Sequence, residues 1–336
     1  MKWIFTLPGL ARRASLASYL LLLTPLHAGA IELARDDVQR FIAELEQQEG
    51  FERAYLEQQL ASSEVKQSII DAISKPAEGV LTWGKYRNIF IQPERIAAGV
   101  AFYAEHEQTL CNIARQTGVP PEMLLGIVGV KSYYGRITGK YRVLDALATL
   151  GFDYPARASF FRSELKHAFR LAREEDMDLA EFMGSYAGAM GPPQFIPSSY
   201  RAYAVDGDGD GRRDLLNNWN DILASVANYF VEHKWQAGQP VAVSATIRED
   251  AGKLPLNSKL KLESTIAELS DAGVVFATEL DSPAAAGLWE LEGSDGTEYW
   301  VGFDNLYVIT RYNRSVMYAL AAWQLGQAVV QQAAAE

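Results

Sequence analysis

Residues 121–136 read PEMLLGIVGVKSYYGR. Pro121 suits the first position of a helix and Gly135 suits a stop, so the stretch predicts one helix between them. Leu124, Ile127, Val128 and Lys131 fall at i, i+3, i+4 and i+7 and share a face. Three of the four are strongly apolar, and Lys131 closes the stripe with a charge. Burying an unpaired charge is costly. Lys131 is therefore a functional group, or a cation whose stem packs while its head reaches water. The second reading gains roughly 0.3–1 kcal/mol from the negative pole of the helix C-terminus.

Working outward, a chain of 336 residues with 49% hydrophobic content can bury a large core, and two or three subdomains are expected. Lys2, Arg12 and Arg13 precede the short apolar run 16–26, and Ala28-Gly29-Ala30 fits a small-residue cleavage site. Residues 1–30 are read as a secretory signal peptide, too short in its apolar part to span a bilayer comfortably. Cleavage near Ala30 removes those three cations and no carboxylate, taking the formal net charge from -11 to -14. So acidic a chain argues against nucleic acid or anionic lipid as a partner. A soluble periplasmic protein is expected. The single cysteine, Cys111, can form no internal disulfide and is read as a buried, inert thiol. No cysteine lies near the cleavage site, so no lipid anchor is expected.

Helical periodicity dominates residues 35–235. Asp36 and Asp37 are expected to cap a first helix carrying Val38, Phe41, Ile42 and Leu45. Further helices are predicted over 64–73, 93–117, 142–150, 158–175 and 221–233. Near Gly238 the pattern turns β-branched and alternating. Strands are predicted over 241–247, 273–278, 288–292 and 298–303, with a turn at Gly293–Gly296. Helix returns over 315–334.

Two further segments carry chemistry. Residues 184–200, GSYAGAMGPPQFIPSSY, are neither helix nor strand by pattern. Small residues let the backbone approach a ligand, and the prolines stiffen it. Ser185, Gln194 and Ser198 offer hydrogen bonds beside the apolar Met190, Phe195 and Ile196, a mixture that suits a sugar. An ordinary tight loop reads equally well. In residues 206–212, DGDGDGR, the residues Asp206, Asp208 and Asp210 occupy positions 1, 3 and 5 of an EF-hand-like loop. Arg212 can supply a backbone carbonyl, but position 12 is Asn217 in place of glutamate. A plain acidic turn is the alternative.

Taken in order, residues 130–136 and 184–200 resemble the lytic murein transglycosylase B family, glycoside hydrolase family 103. The similarity continues through RVLDALATL (142–150), SVANYF (225–230) and Thr310-Arg311-Tyr312-Asn313, covering essentially the whole mature chain. The resemblance implies a mainly α fold: a lysozyme-like core, a helical domain and a small antiparallel β domain. The corresponding division is a signal peptide (1–30), an N-terminal helical domain (31–85) and a core with the cleft and metal loop (86–237). A small β domain (238–303) and a C-terminal return to the core (304–336) follow.

The implied reaction cleaves the MurNAc–GlcNAc bond of peptidoglycan without water and leaves a 1,6-anhydro sugar. One glutamate protonates the glycosidic oxygen, then takes the proton of the C6 hydroxyl. That differs from the two-carboxylate scheme of most glycosidases. The family glutamate stands in V-E-[ST]-x-[aromatic]-G, and here that position is Lys131.

An ammonium beside a sugar developing positive charge repels it by roughly 4 kcal/mol at 4 Å and an effective dielectric of 20. Loss of a positioned acid typically removes about 10²- to 10⁴-fold in rate. The expectation is glycan-strand recognition on a scaffold that is inactive or severely impaired. The alternative is an active enzyme in which Lys131 or another group carries the proton.

The resemblance further implies Ser185 and Gln194 as polar active-site residues. As substrate contacts it implies Met190, Tyr86, Tyr229, Tyr312, Tyr318, Arg157 and Asn313. Ala156 and Phe160 depart from the pattern, standing for an arginine and a cleft tyrosine. It also draws a metal-binding carboxylate from Asp221, so a structural Ca2+ is expected and no catalytic cofactor. Cell-wall synthesis proteins are candidate partners.

Overall fold

The structure, a computed structural model, describes residues 29–74 and 81–336; most of the expected signal peptide lies outside them. Three helices open the chain: α1 (Asp36–Glu49), α2 (Arg53–Ala61) and α3 (Gln67–Ile73). Asp36 and Asp37 sit in the first turn of α1, and Arg35 takes the cap position expected for them. A first-turn carboxylate still favours the positive end of the helix. Arg35 also bonds Asp37 at 3.0 Å and Asp153 at 2.6 Å, tying α1 to α7 (Val143–Asp153).

Helices α4 (Trp83–Phe90), α5 (Pro93–Thr117) and α6 (Pro121–Ser132) precede α7, and α8 (Ala158–Glu174) follows it. A two-residue ladder, β1 (Tyr141–Arg142) with β2 (Met183–Gly184), joins the start of α7 to the cleft loop. Two more helices, α9 (Pro197–Tyr203) and α10 (Trp219–Glu232), complete this part.

The small sheet follows: β3 (Ala242–Ile247), β4 (Ser264–Thr265), a short helix α11 (Ile266–Asp271), β5 (Val274–Val275), β6 (Ala285–Glu292) and β7 (Thr297–Gly302). Its order is β4-β6-β7-β3-β5, antiparallel throughout, with Trp289 opposite Trp300. Ile266, Leu269, Val274, Leu288, Val301 and Phe303 form its own core. The strand expected over 273–278 shortens to β5, an edge pairing only with Thr246 and Ile247. Short edges limit unwanted pairing.

Helices α12 (Asp304–Tyr312) and α13 (Val316–Ala333) return to the main core. The packing of α13 on α6 fixes the centre of the fold. A methyl on Gly326 would lie 1.7 Å from the Glu122 carbonyl oxygen, and one on Gly126 would lie 2.0 Å from that of Ala322. Only glycine permits this backbone approach. With Leu124, Leu125, Ile127 and Val128 all fully buried, α6 is apolar nearly all round, and Lys131 emerges only at its end.

Cys111 lies half-buried on α5, less enclosed than its sequence context suggested. No helix among the described residues is long and apolar enough to cross a membrane.

Candidate functional site

The helix carrying Lys131 stops earlier than Gly135. Ser132 is its last residue, and Tyr133, Tyr134 and Gly135 follow with φ of 53°, 56° and 81°. Two consecutive tyrosines in the left-handed region are strained, at a cost of order 1–3 kcal/mol each, and the surroundings hold them there. The Tyr134 ring stacks on Phe102 with centroids 5.4 Å apart, and the Arg95 guanidinium lies 4.4 Å from the Tyr133 centroid. Arg95 also donates to the Gly129 carbonyl at 2.8 Å. The Ser132 hydroxyl donates to Val128 O at 3.2 Å and accepts from Gly135 N at 3.0 Å. This turn fixes the direction in which Lys131 leaves α6.

Lys131 opens into a cleft of about 760 Å³. Its lining includes Ser185, Gln194, Tyr229, Tyr312 and Asn313, together with Arg157, Phe160, Arg311 and Arg314. The Lys131 Nζ lies 4.7 Å from the Tyr318 ring centroid and 5.4 Å from that of Tyr312. A cation over an aromatic face is attracted by the ring quadrupole.

The loop opposite Lys131 is cross-braced. Ser185 Oγ accepts from Ala187 N and Ala189 N, both at 3.2 Å. Met190 and Phe195 exchange backbone hydrogen bonds at 2.8 and 3.2 Å. Gln194, with φ of 54°, donates through Nε2 to Thr138 O at 2.8 Å and Gly191 O at 2.9 Å. Among the described residues these are the side-chain hydrogen bonds of Ser185 and Gln194, so the Gln194 Oε1 and the Ser185 hydroxyl proton can serve a ligand.

The cleft tyrosines offer less than sequence reasoning expected of them. The Tyr229 hydroxyl donates to Arg311 O and that of Tyr312 to Pro193 O, both at 2.7 Å. Burial pushes both hydroxyls well above the ordinary tyrosine range. Their rings therefore form the surface, and their hydroxyls join α12 to the loop and to α10.

Lys131, Arg157, Ser185, Gln194, Tyr229, Tyr312 and Asn313 thus come together. Three expected contacts do not line the cleft. Met190 is 1% exposed because its backbone pairs with Phe195 and turns its side chain under the loop. Tyr86 is 3% exposed and faces Phe90, because α4 packs between α13 and β6. Tyr318, also buried, reaches the site through Lys131.

Sequence reasoning missed Phe161, Tyr186, Ser199 and Arg314 as lining residues. Phe161 adjoins Phe160 on α8, and no local pattern marks Tyr186, Ser199 or Arg314. Glu164 is 4% exposed and accepts from Ser198 N at 2.9 Å and Ser198 Oγ at 2.7 Å. Burial pushes its carboxyl up, partly offset by the two Ser198 bonds.

The acidic loop is a separate feature. Carboxylate oxygens of Asp206, Asp208 and Asp210 lie within 4.8 Å of one another. Asp206 accepts from the backbone N–H groups of Gly209, Asp210 and Gly211. Hydrogen bonding from Asn218 holds Asp208 below the usual carboxylate range. Three oxygen donors in this spacing fit a hard cation such as Ca2+.

Asp221 stands outside the group of three. It is fully buried, and its two oxygens accept from Gly207 N and Asp214 N, each at 2.7 Å. It brackets the loop from beneath. Arg212 is held by its own N–H, which donates to Asp210 Oδ1 at 2.8 Å.

The sequence profile of the transglycosylase SLT domain matches residues 34–327. The chain belongs to this family. It is 41% identical over 305 residues to the membrane-bound lytic murein transglycosylase B of Escherichia coli, covering 87% of this chain and 82% of that one. A catenated lytic transglycosylase from Pseudomonas aeruginosa superposes with a TM-score of 0.85 at 44% identity, over 89% of this chain and 98% of the other. An Escherichia coli lytic transglycosylase solved in complex with calcium gives 0.83 at 39% identity, over 91% and 96%. The mainly α fold with its small antiparallel sheet, expected from the family resemblance, matches these neighbours.

Proposed function

We propose that this protein recognises peptidoglycan glycan strands on a lytic transglycosylase scaffold whose acid/base position is held by Lys131, leaving it inactive or severely impaired. The observation that carries the reading is the position of Lys131. It projects from the end of α6 into a cleft also lined by Ser185, Gln194, Tyr312 and Asn313.

In the family reaction a carboxylic acid at this position protonates the leaving oxygen as the C1–O bond breaks. The resulting carboxylate accepts the proton of the C6 hydroxyl as that oxygen closes on C1. An ammonium can donate a proton, but its charge opposes the positive charge growing on the sugar. The rings of Tyr312 and Tyr318 face that ammonium, and a cation over an aromatic face is attracted by the ring quadrupole. Tyr229, Tyr312 and Phe160 supply apolar faces for sugar rings. Ser185, Gln194, Asn313 and Arg157 supply polar contacts at their edges.

The same reading makes residues 1–30 a signal peptide and the mature chain a soluble periplasmic protein of family 103 with the domain division given above. Calcium in the Asp206–Asp210 loop would be structural, held by those carboxylates and pinning the chain that follows the cleft loop.

The test compares this protein with Lys131→Glu on purified sacculi, with soluble products read by mass spectrometry. Release of 1,6-anhydro muropeptides by the variant alone is expected, together with sedimentation of both proteins on sacculi. Release by the unaltered protein at a comparable rate would overturn the assignment of Lys131 as the silencing group.

A further inference from the structure

A second concavity opens beside the cleft, where the loop 257–261 of the small sheet faces α12. It encloses about 600 Å³. Trp289 and Tyr307 line it, and Lys259, Lys261, Arg311 and Arg314 stand around it. No carboxylate belongs to its lining. On a chain of formal net charge -11, four cations around one groove are a local reversal of sign. Among the described residues none of the four is within 4 Å of a carboxylate. Gathering like charges is unfavourable, and the field they create attracts an anion.

The loop carrying the lysines is built rather than loose. Asn257 N donates to Leu288 O at 2.7 Å, and Leu288 N returns a bond to Asn257 Oδ1 at 3.1 Å. Asn257 Nδ2 donates to Lys261 O at 2.7 Å. The nearby carboxylate of Glu263 accepts from Ser258 N at 3.1 Å. Both lysines are therefore carried on a turn docked to β6.

The groove is also continuous with the cleft. Arg311 and Arg314 line both, so a ligand occupying one can extend into the other. Indole and phenol faces inside a ring of cations suit a flexible chain with apolar stretches and carboxylates.

We propose that this groove is a subsite for the anionic stem peptide carried by a glycan strand lying in the cleft. It rests on the reading that the cleft binds glycan strands. In this arrangement Arg311 and Arg314 stand at the junction, and Lys259 and Lys261 meet peptide carboxylates further out. The sheet then contributes to recognition of a substituent, while the helical core grips the sugars.

The test measures binding of the full chain and of Lys259→Gln/Lys261→Gln to two probes: glycan strands bearing stem peptides, and the same strands stripped of peptide by an amidase. Both lysines are exposed, so equal unfolding midpoints are expected for the two proteins. The double variant should bind peptide-bearing strands about 3- to 10-fold more weakly at low salt, with the difference shrinking at 0.5 M salt. Its affinity for stripped strands should not change.

No loss on peptide-bearing strands, or an equal loss on both probes, would overturn the subsite. Lysine-dependent binding of free stem peptide as tight as that of the intact strand would also overturn it, because the tether would then contribute nothing. An unaltered protein that binds neither strand refutes the parent reading, an outcome separate from selective loss of the peptide contribution.

Discussion

The Nζ of Lys131 lies 4.7 Å from the centroid of the Tyr318 ring, on a side chain that leaves α6 in its last turn. Two local fields act on this group. The ring face favours a cation by roughly 0.5–2 kcal/mol depending on desolvation. The helix C-terminus favours one by roughly 0.3–1 kcal/mol. A carboxylate at position 131 would meet both with the wrong sign.

The same change that should restore transglycosylation therefore carries a cost in stability. Lys131→Glu is expected to lose about 1–2 kcal/mol relative to the unaltered protein at neutral pH, a fall in Tm of several degrees for a chain of this size. Lys131→Met, which keeps the packing and removes the charge, should fall between the two. Thermal unfolding of the three proteins in one buffer checks the order. A glutamate variant as stable as the lysine protein would show that the rings of Tyr312 and Tyr318 give the cation no net stabilisation.

What the sequence disclosed, and what it did not, follows from the range of the interactions involved. Pro121 and the apolar run after it made α6 readable, because helix starts and hydrophobic faces are local patterns. Its end was misplaced. Tyr133 and Tyr134 adopt positive φ under the influence of Phe102 and Arg95, both on α5, which no local rule anticipates. Ser185, Gln194 and Tyr312 were named from motifs and do meet in one cleft. Tyr86 and Met190 were named on the same grounds and are buried, because motif membership does not say which way a side chain points. The basic groove was invisible in sequence: Lys259 and Arg311 are about fifty positions apart and meet only once the sheet docks on α12.

The acidic loop gives a prediction independent of the cleft. Asp206, Asp208 and Asp210 converge without a balancing cation among the described side chains, since Asn218 and Asn220 are the neutral donors to Asp208. A divalent cation that binds the folded loop and not the unfolded chain raises stability in proportion to its concentration over Kd, by about 2.7 kcal/mol at a hundredfold excess. Calcium should raise the Tm of the chelator-treated protein by several degrees, and magnesium should do so less, because it demands a tighter octahedral shell. Asp206→Asn should abolish the shift. Calorimetry with and without calcium decides it, and an unchanged Tm at millimolar calcium would reduce the loop to an acidic turn.

Glu164 supplies the pH dependence. Its carboxyl is buried on α8 and holds the first turn of α9 through Ser198, and burial raises its folded pKa above the unfolded value near 4.3. The native state therefore binds this proton more tightly than the unfolded chain does. Its contribution to stability is full below the unfolded pKa and is lost as pH rises through the raised folded value. Glu164→Gln removes the titration while keeping the geometry: Oε1 can accept from Ser198 N, and Nε2 can donate to Ser198 Oγ. Across pH 4 to 7 the Tm of Glu164→Gln should gain steadily on that of the unaltered protein, with the gain ending above the folded pKa. Parallel Tm curves for the two proteins would mean that Glu164 titrates alike in the folded and unfolded states, and that Ser198 offsets its burial in full.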